Sequence, residues 1–334
     1  MNKRASRKKN TLVLELHDGC MRYIVTEFSN TMQTISSFGD IALQEEVIKD
    51  NEIIQLELIS KIIKKIHRQY KVKNLVLVLP VRAMRYMTIT LPISSSQKEL
   101  RKHVQKHNAT ETHSSLTSLK NGVCHLVSRT PKDDTHEYVT FACIKNDTYL
   151  SYESLAKKTG LKLTAVTSPE EFLMNQDHTS VVVFGKKDTY LLTQKQEVLE
   201  YKQFALSYNS LVKLIMSELD VKHDEAEKIL KEHGFMSSHK EEKVYKKILA
   251  QLQPLLAYLK IHKKHYTSLK LVELYASVPG LEDSIGTYIG KEVHRKEPHF
   301  EDYPHIGNLI SIPQSDIYKY QFLLESLYTN IIDR

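Results

Sequence analysis

Two stretches of this chain share one layout, and that repetition limits what the chain can fold into. "LVLELHDGCMRYIVTEF" (Leu12–Phe28) reads as a strand, a turn at His17–Cys20 and a returning strand; its strands are Thr11–Leu16 and Arg22–Phe28, and Thr34–Ala42 reads as a third. "SVVVFGKKDTYLLTQKQEVLEYKQFAL" (Ser180–Leu206) repeats strand, glycine turn, strand, short turn, strand, with Gly185 standing about 168 residues after His17. Helical pattern follows each meander. After the first, "DNEIIQLELISKIIKKIHRQY" places Ile59, Ile62, Ile63 and Ile66 on one face, with Asp50 as the expected N-cap. After the second come "NSLVKLIMSELD", "KHDEAEKILKEHGF" and "EEKVYKKILAQLQPLLAYLKIHKKH". In the last of these, Pro254 is expected to kink or divide the helix. Each helical stretch leads into an apolar strand, "NLVLVLP" (Asn74–Pro80) or "LKLVELYAS". Strands without polar alternation suit a sheet covered on both faces, with parallel neighbours. The expected architecture is a duplicated α/β fold whose halves leave a cleft, the default place for a ligand.

A second pattern lies between the halves. "RYMTITLP" reads as a strand and "SSSQKELRKHVQKH" as a serine-capped helix. Val123–Ser128 and Glu137–Ile144 read as a strand pair, "NDTYLSYESLAKKTG" as a helix ending at Gly160, "LKLTAVTS" as a strand and "PEEFLMN" as a short helix. The expected boundaries are a basic tail at 1–10, a first subdomain at 11–81 and an inserted α+β subdomain at 82–176. A second lobe spans 177–308, with a helical subdomain at 207–268, and a C-terminal helix at 309–334 packs back on the first subdomain. In that last helix Ile317, Tyr320, Leu324 and Leu327 suit a core contact rather than a basic lipid-facing stripe.

Composition excludes several classes. The 334 residues are 41% hydrophobic and 26% charged, ordinary for globular chains, and no run of 18 apolar residues predicts a membrane span. The basic start "MNKRASRKKN" has no apolar stretch after it, so it reads as a solvated tail or a weak contact for anionic lipid or nucleic acid, not a signal peptide. Net charge is +7, but the 47 basic residues are mixed with 40 acidic ones and no nucleic-acid motif is present, so no nucleic acid is expected as partner. Three cysteines, Cys20, Cys124 and Cys143, with no CxxC, argue against a disulfide framework and a zinc site, and so for a reducing cytosol. His103 and His107 lack a third ligand in sequence and read as a solvated helix face. No G-x-S-x-G or comparable frame marks a nucleophile, so no catalytic residue, metal site or small-molecule substrate is expected.

The order of these elements resembles the actin-like ATPase superfamily (ribonuclease H-like), and within it the PilM-type proteins of type IV pilus and related secretion machines. Three places carry the resemblance: "LVLELHDGCMRYIVTE" is similar to the first phosphate loop, "VVVFGKKDTYLLT" to the second, and "LVELYASVPGLEDSIGTYIG" to the adenosine element. The resemblance implies a duplicated actin-like fold with an inserted subdomain, and a nucleotide pocket whose remnants here are Glu15, Asp18 and Gly19, then Gly185, Lys186 and Thr189, then Ser277 and Gly280. The departures are chemical. Glu15 stands at the family's leading aspartate and His17 at its glycine; Val183 stands where the second loop has its acid; Lys186 and Lys187 replace small residues; Tyr275, Ala276 and Ser277 replace a glycine-rich run. Phosphoryl transfer needs carboxylates or their waters on Mg²⁺ and N–H groups aimed at phosphate, so a pseudo-ATPase without ATP or Mg²⁺ is expected. The resemblance further implies a cytosolic scaffold held at the inner face of the membrane through partners. It would dock the cytosolic N-terminal segment of a bitopic PilN-like protein and link it to a cytosolic motor ATPase. The expected groove residues are Arg82, Arg85, Tyr86 and Lys102. The competing readings are a working ATP-binding or hydrolysing relative and a filament former of the cell-division type.

Overall fold

The computed structural model describes residues 10–17, 19–29, 32–43, 47–49, 52–80, 83–93, 99, 122–169, 180–195, 198–236, 242–265, 269–273, 276–295, 306–307, 312–313, 317 and 319–332. The chain forms two compact units, one from Met1–Leu173 with His299–Arg334 and one from Met174–Pro298.

The first unit is built on a six-stranded sheet of order β10-β6-β1-β2-β3-β16. Strands β1 (Asn10–His17), β2 (Cys20–Ser29) and β3 (Met32–Ala42) form the antiparallel meander. Strands β6 (Asn74–Val78) and β10 (Lys162–Thr167) extend it in parallel beyond β1. Leu12, Val13, Leu14 and Leu16 are all buried, as befits a central strand with both faces covered. Helix α1 (Leu56–Tyr70) contributes Ile59, Ile63 and Ile66 to the core. It closes at Lys71, which takes the left-handed conformation and donates its N–H to the His67 carbonyl. Asp50 is not its N-cap: that position is Gln55, with no side-chain cap. A small hairpin, β4 (Ile48–Lys49) with β5 (Glu52–Ile53), occupies the segment read as helix, because the buried, β-branched Ile48 and Ile53 pair across it.

Strands β7 (Met84–Pro92), β8 (Gly122–Pro131) and β9 (His136–Lys145) make a separate three-stranded sheet of order β7-β9-β8 with its own small core around Ile89, Leu91, Val139 and Phe141. Two differences from the expected 82–176 insertion follow. Helix α2 (Asn146–Thr159) packs against α1, and β10 joins the main sheet, so only β7–β9 form the inserted sheet. Cys124 and Cys143 face one another in the β8–β9 register and form a disulfide, contrary to the reading from an odd cysteine count. Cys20 is outside the disulfide. The helix expected over "SSSQKELRKHVQKH", with His103 and His107, and the "PEEFLMN" helix lie outside the described residues apart from Glu99 and Pro169.

The second unit has a five-stranded sheet of order β13-β12-β11-β14-β15. Strands β11 (Ser180–Phe184), β12 (Thr189–Lys195) and β13 (Val198–Phe204) are the meander, and β14 (Leu269–Glu273) and β15 (Val293–Arg295) add in parallel. Strand for strand this is the order of β3-β2-β1-β6-β10, so the duplication lies in the topology as well as the sequence pattern. Helices α3 (Tyr208–Leu219), α4 (His223–His233) and α5 (Glu242–Ile261) fill the interval that α1 fills in the first unit. Helix α5 runs through Pro254 undivided. Helix α6 (Leu281–Ile289) is the crossover between β14 and β15.

The chain then returns to the first unit. Strand β16 (Ile306–Gly307) pairs in parallel with β3, and α7 (Gln321–Ile332) lies against β1 and β6. The second lobe therefore ends near Pro298, not at residue 308, because β16 finds its hydrogen bonds on the first sheet. In the α7 segment Ile317, Tyr320, Leu324 and Leu327 are buried.

Candidate functional site

In an α/β sheet, ligand sites form beyond the carboxyl ends of the parallel strands. In the first unit, β1 and β6 end side by side, with Glu15 opposite Val78 in the register. The β1–β2 turn holds Gly19 at φ 87, a conformation that favours glycine, and its carbonyl accepts from Leu43 N–H at 2.9 Å. Asp18 lies outside the described residues. Glu15 is buried and sits beside Arg22, its register partner on β2, at 3.9 Å. Arg22 in turn faces Asp40 on β3 at 3.5 Å and donates to the Lys319 carbonyl at 3.2 Å. A charged row thus crosses three strands on one face of the sheet. Burial works against the charge on Arg22, but Glu15, Cys20 and Asp40 outweigh it and hold the guanidinium above its usual range.

At the same end, Leu79 N–H donates to the Thr167 carbonyl of β10, and Tyr86 of β7 shares a 2.6 Å hydrogen bond with Ser168 Oγ. Tyr86 is half-buried. Arg85 pairs with Cys143 in the β7–β9 register; its side chain, and all of Arg82 and Lys102, lie outside the described residues.

In the second unit, β11 and β14 end side by side, with Phe184 opposite Glu273. Val183, the residue expected to stand in place of a second acid, is wholly buried between Tyr190 and Val272. In the β11–β12 turn Gly185 N–H donates back to the Asp188 carbonyl at 3.0 Å. The carbonyls of Gly185 and Lys186 accept from Tyr208 and Asn209 N–H, so this turn caps the start of α3. A Cβ on Gly185 would lie 2.7 Å from the Asp188 oxygen, which explains the glycine by close approach. Lys186 is half-buried and Lys187 exposed. Thr189 is buried, and its Oγ1 has no hydrogen-bond partner.

The turn after β14 is knitted by Arg295, which reaches Glu273, Ser277 and, at 3.2 Å, Glu282 of α6. Glu273 also accepts from Val278 N–H at 2.7 Å. Burial pushes the Glu273 carboxyl up to about 7, against the opposing pull of Arg295 and the Val278 N–H. Gly280 caps α6 at φ 71, and a Cβ there would meet Phe235 and Met236. The Phe235 N–H donates to the Pro279 carbonyl at 2.7 Å, so the end of α4 closes over this turn. The sequence reading missed both arginines. Arg22 had a signal: a two-residue Asp-Gly turn fixes the register that puts Arg22 across from Glu15. Arg295 had none, since it is joined to Glu273 only through the crossover α6.

Among the described residues no group of three or more histidine, cysteine or acidic side chains is placed to hold a metal ion, and no helix is long and apolar enough to cross a membrane. The strand order, the repeated unit and the inserted sheet define the actin-like α/β fold. No protein-family model and no curated protein matches the chain. Among solved structures it is similar to the PilM-PilN type IV pilus biogenesis complex, with 13% identity over 93% of this chain and 95% of that chain and a TM-score of 0.69. Looser matches are the ethanolamine utilization protein EutJ from Carboxydothermus hydrogenoformans, at 11% identity over 88% and 86% with a TM-score of 0.46, and the cytoplasmic domain of EpsL, an inner membrane component of the type II secretion system of Vibrio cholerae, at 10% over 88% and 90% with 0.44. At such identity the likeness to the PilM-PilN structure is one of fold.

Proposed function

We propose that this chain is a cytosolic actin-like scaffold of a type IV pilus, DNA-uptake or type II secretion-like assembly. It docks the cytosolic N-terminal segment of a bitopic PilN-like membrane protein and couples it to a cytosolic motor ATPase. The observation that carries this reading is the fold shared with the PilM-PilN complex over nearly the full length of both chains. An extended peptide would bind by main-chain hydrogen bonds and alternating pockets beside β7, the strand that carries Arg85 and Tyr86. A pull-down with the partner's N-terminal peptide tests it. Binding to wild type with loss in Arg85→Glu is expected; equal binding to both removes the groove, and no binding to either removes the partner.

The same proposal includes that the chain does not turn over ATP. The residues at the phosphate-loop positions do not fit a magnesium-bound triphosphate. Glu15, the acid of the first loop, is neutralised by Arg22, and the second loop offers the buried Val183 in place of an acid. Two carbonyls of that second turn face the start of α3, and its Gly185 N–H is engaged inside the turn. A second reading, nucleotide binding without turnover, is favoured by the buried Thr189 Oγ1, which has no partner. Melting with and without millimolar Mg-ATP separates the two: a ligand at 100 times its Kd would add about 2.7 kcal/mol of stability, and no shift is expected.

A further inference from the structure

The opposite end of the first sheet, away from the candidate site, carries a different chemistry. Helix α1 turns Ile59, Ile63 and Ile66 inward and Lys61, Lys64, Lys65 and Arg68 outward, at the three- and four-residue spacing of one face. Lys71 and Lys73 follow in the exposed connection to β6. Lys162, the exposed first residue of β10, donates its N–H to the Lys73 carbonyl, which fixes it beside them. Asn10, the first residue of β1, is pinned at the same place: its side chain donates to the Tyr70 carbonyl at 2.7 Å, and its own carbonyl accepts from Lys73 N–H at 2.9 Å. None of these cations makes an ion pair within 4.0 Å with a described residue. Glu57, at the start of α1, is paired with Lys158 of α2 and lies within Coulombic reach of Lys61 and Lys64, and Lys157 is paired with Glu153. Glu27, the register partner of Asn10, is the acid that β2 adds at this end.

We propose that the outer face of α1, with the starts of β1, β6 and β10, is a docking surface for an anionic phospholipid bilayer. Charge complementarity selects the partner. Six of the seven cations are lysines, point charges suited to a diffuse anionic field rather than the forked geometry of arginine. No exposed aromatic ring stands among them to stack a base: Tyr70 is half-buried and its hydroxyl accepts from Gln69. Each cation near an anionic leaflet strengthens binding about fivefold. The surface alone gives reversible adhesion that salt removes. The inference rests on the charge pattern and holds whether or not a PilN-like partner exists.

The test is flotation of the full chain with vesicles of phosphatidylcholine, with and without one third phosphatidylglycerol. Binding to the anionic vesicles alone is expected, and its loss when salt rises from about 0.1 M to about 1 M, where the Debye length falls from about 10 to about 3 Å. The triple variant Lys61→Glu, Lys65→Glu, Arg68→Glu should bind at least tenfold more weakly with an unchanged melting curve, since all three positions are exposed and glutamate is a good helix former. The triple glutamine variant should lose less. Removal of residues 1–9, which hold five further cations, should leave detectable binding. The proposal fails if wild type does not float with anionic vesicles, if the glutamate variant floats equally well, or if removing residues 1–9 abolishes binding. It also fails if a DNA duplex or polyglutamate displaces the vesicles at equal charge concentration; that result reassigns the surface to a nucleic acid or to an acidic protein.

Discussion

The two sheets run in the same strand order, yet each places its buried acid on a different strand. In the first, Glu15 is on the leading strand β1 and its parallel neighbour β6 offers Val78. In the second, the leading strand β11 offers Val183, and the acid, Glu273, is on the parallel neighbour β14, one residue beyond the register partner of Val183. One residue along a strand reverses the face, so the acid has moved one strand across and to the other side of the sheet. Both acids face an arginine from the next strand outward, Arg22 of β2 and Arg295 of β15. The duplicated scaffold thus accepts one buried ion pair at this end of each sheet, while the position itself is free to drift. An acid held by an arginine ties one strand to the next.

The hardest blow to this comparison is Val183→Asp, which gives the second sheet the acid of the first without its arginine. It should destabilise the chain by about 5 kcal/mol in urea unfolding, because the carboxylate is buried without a partner. A small effect would mean that the second sheet already has a cation waiting there. Arg22→Met, which leaves Glu15 buried without its guanidinium, should cost about 4 kcal/mol, and adding Glu15→Leu should recover most of it. Failure of the double variant to recover would give the row a further task.

The second pair is set apart by pH. The Glu273 carboxyl sits at about 7 in the folded chain against 4.5 ordinarily, so the folded state holds the proton longer. Its contribution is fully present below about 4.5 and is lost as pH rises through 7, by about 3 kcal/mol in unfolding experiments across that range. Glu273→Gln should flatten that slope. The two turns make a finer contrast. Gly185→Ala should cost about 1.5 kcal/mol, because its Cβ meets the Asp188 carbonyl. Gly19→Ala should cost about 1 kcal/mol, since nothing lies within 4 Å and only the positive φ resists it.

The meanders, the apolar parallel strands and the duplication were legible because hydrophobic pattern and turn residues are local signals. The β4–β5 hairpin was not, since its two-residue strands are too short to leave a period of their own beside the helical pattern of α1. Nor was the Cys124–Cys143 bond: counting three cysteines says nothing of a register that sets two of them opposite one another. The inserted sheet was read too long because β10 joins β6 by a long-range parallel pairing that leaves no local trace. At the candidate site Glu15 and Val183 could be located from the sequence, but the side chains that pack against them could not. The arginine rows depend on strand neighbours distant in the chain.

The first sheet is completed by residues far along the chain from its own meander. Arg22 finds an acceptor on Lys319, β3 gains β16, and α7 lies against β1 and β6, with its Phe322, Leu323 and Leu324 buried. During synthesis, Met174–Pro298 can therefore close while the older unit still waits, its central strands uncovered, for some 150 further residues to leave the ribosome. Birth order and finishing order are reversed, and a segment made long after the first strands is the lid on them.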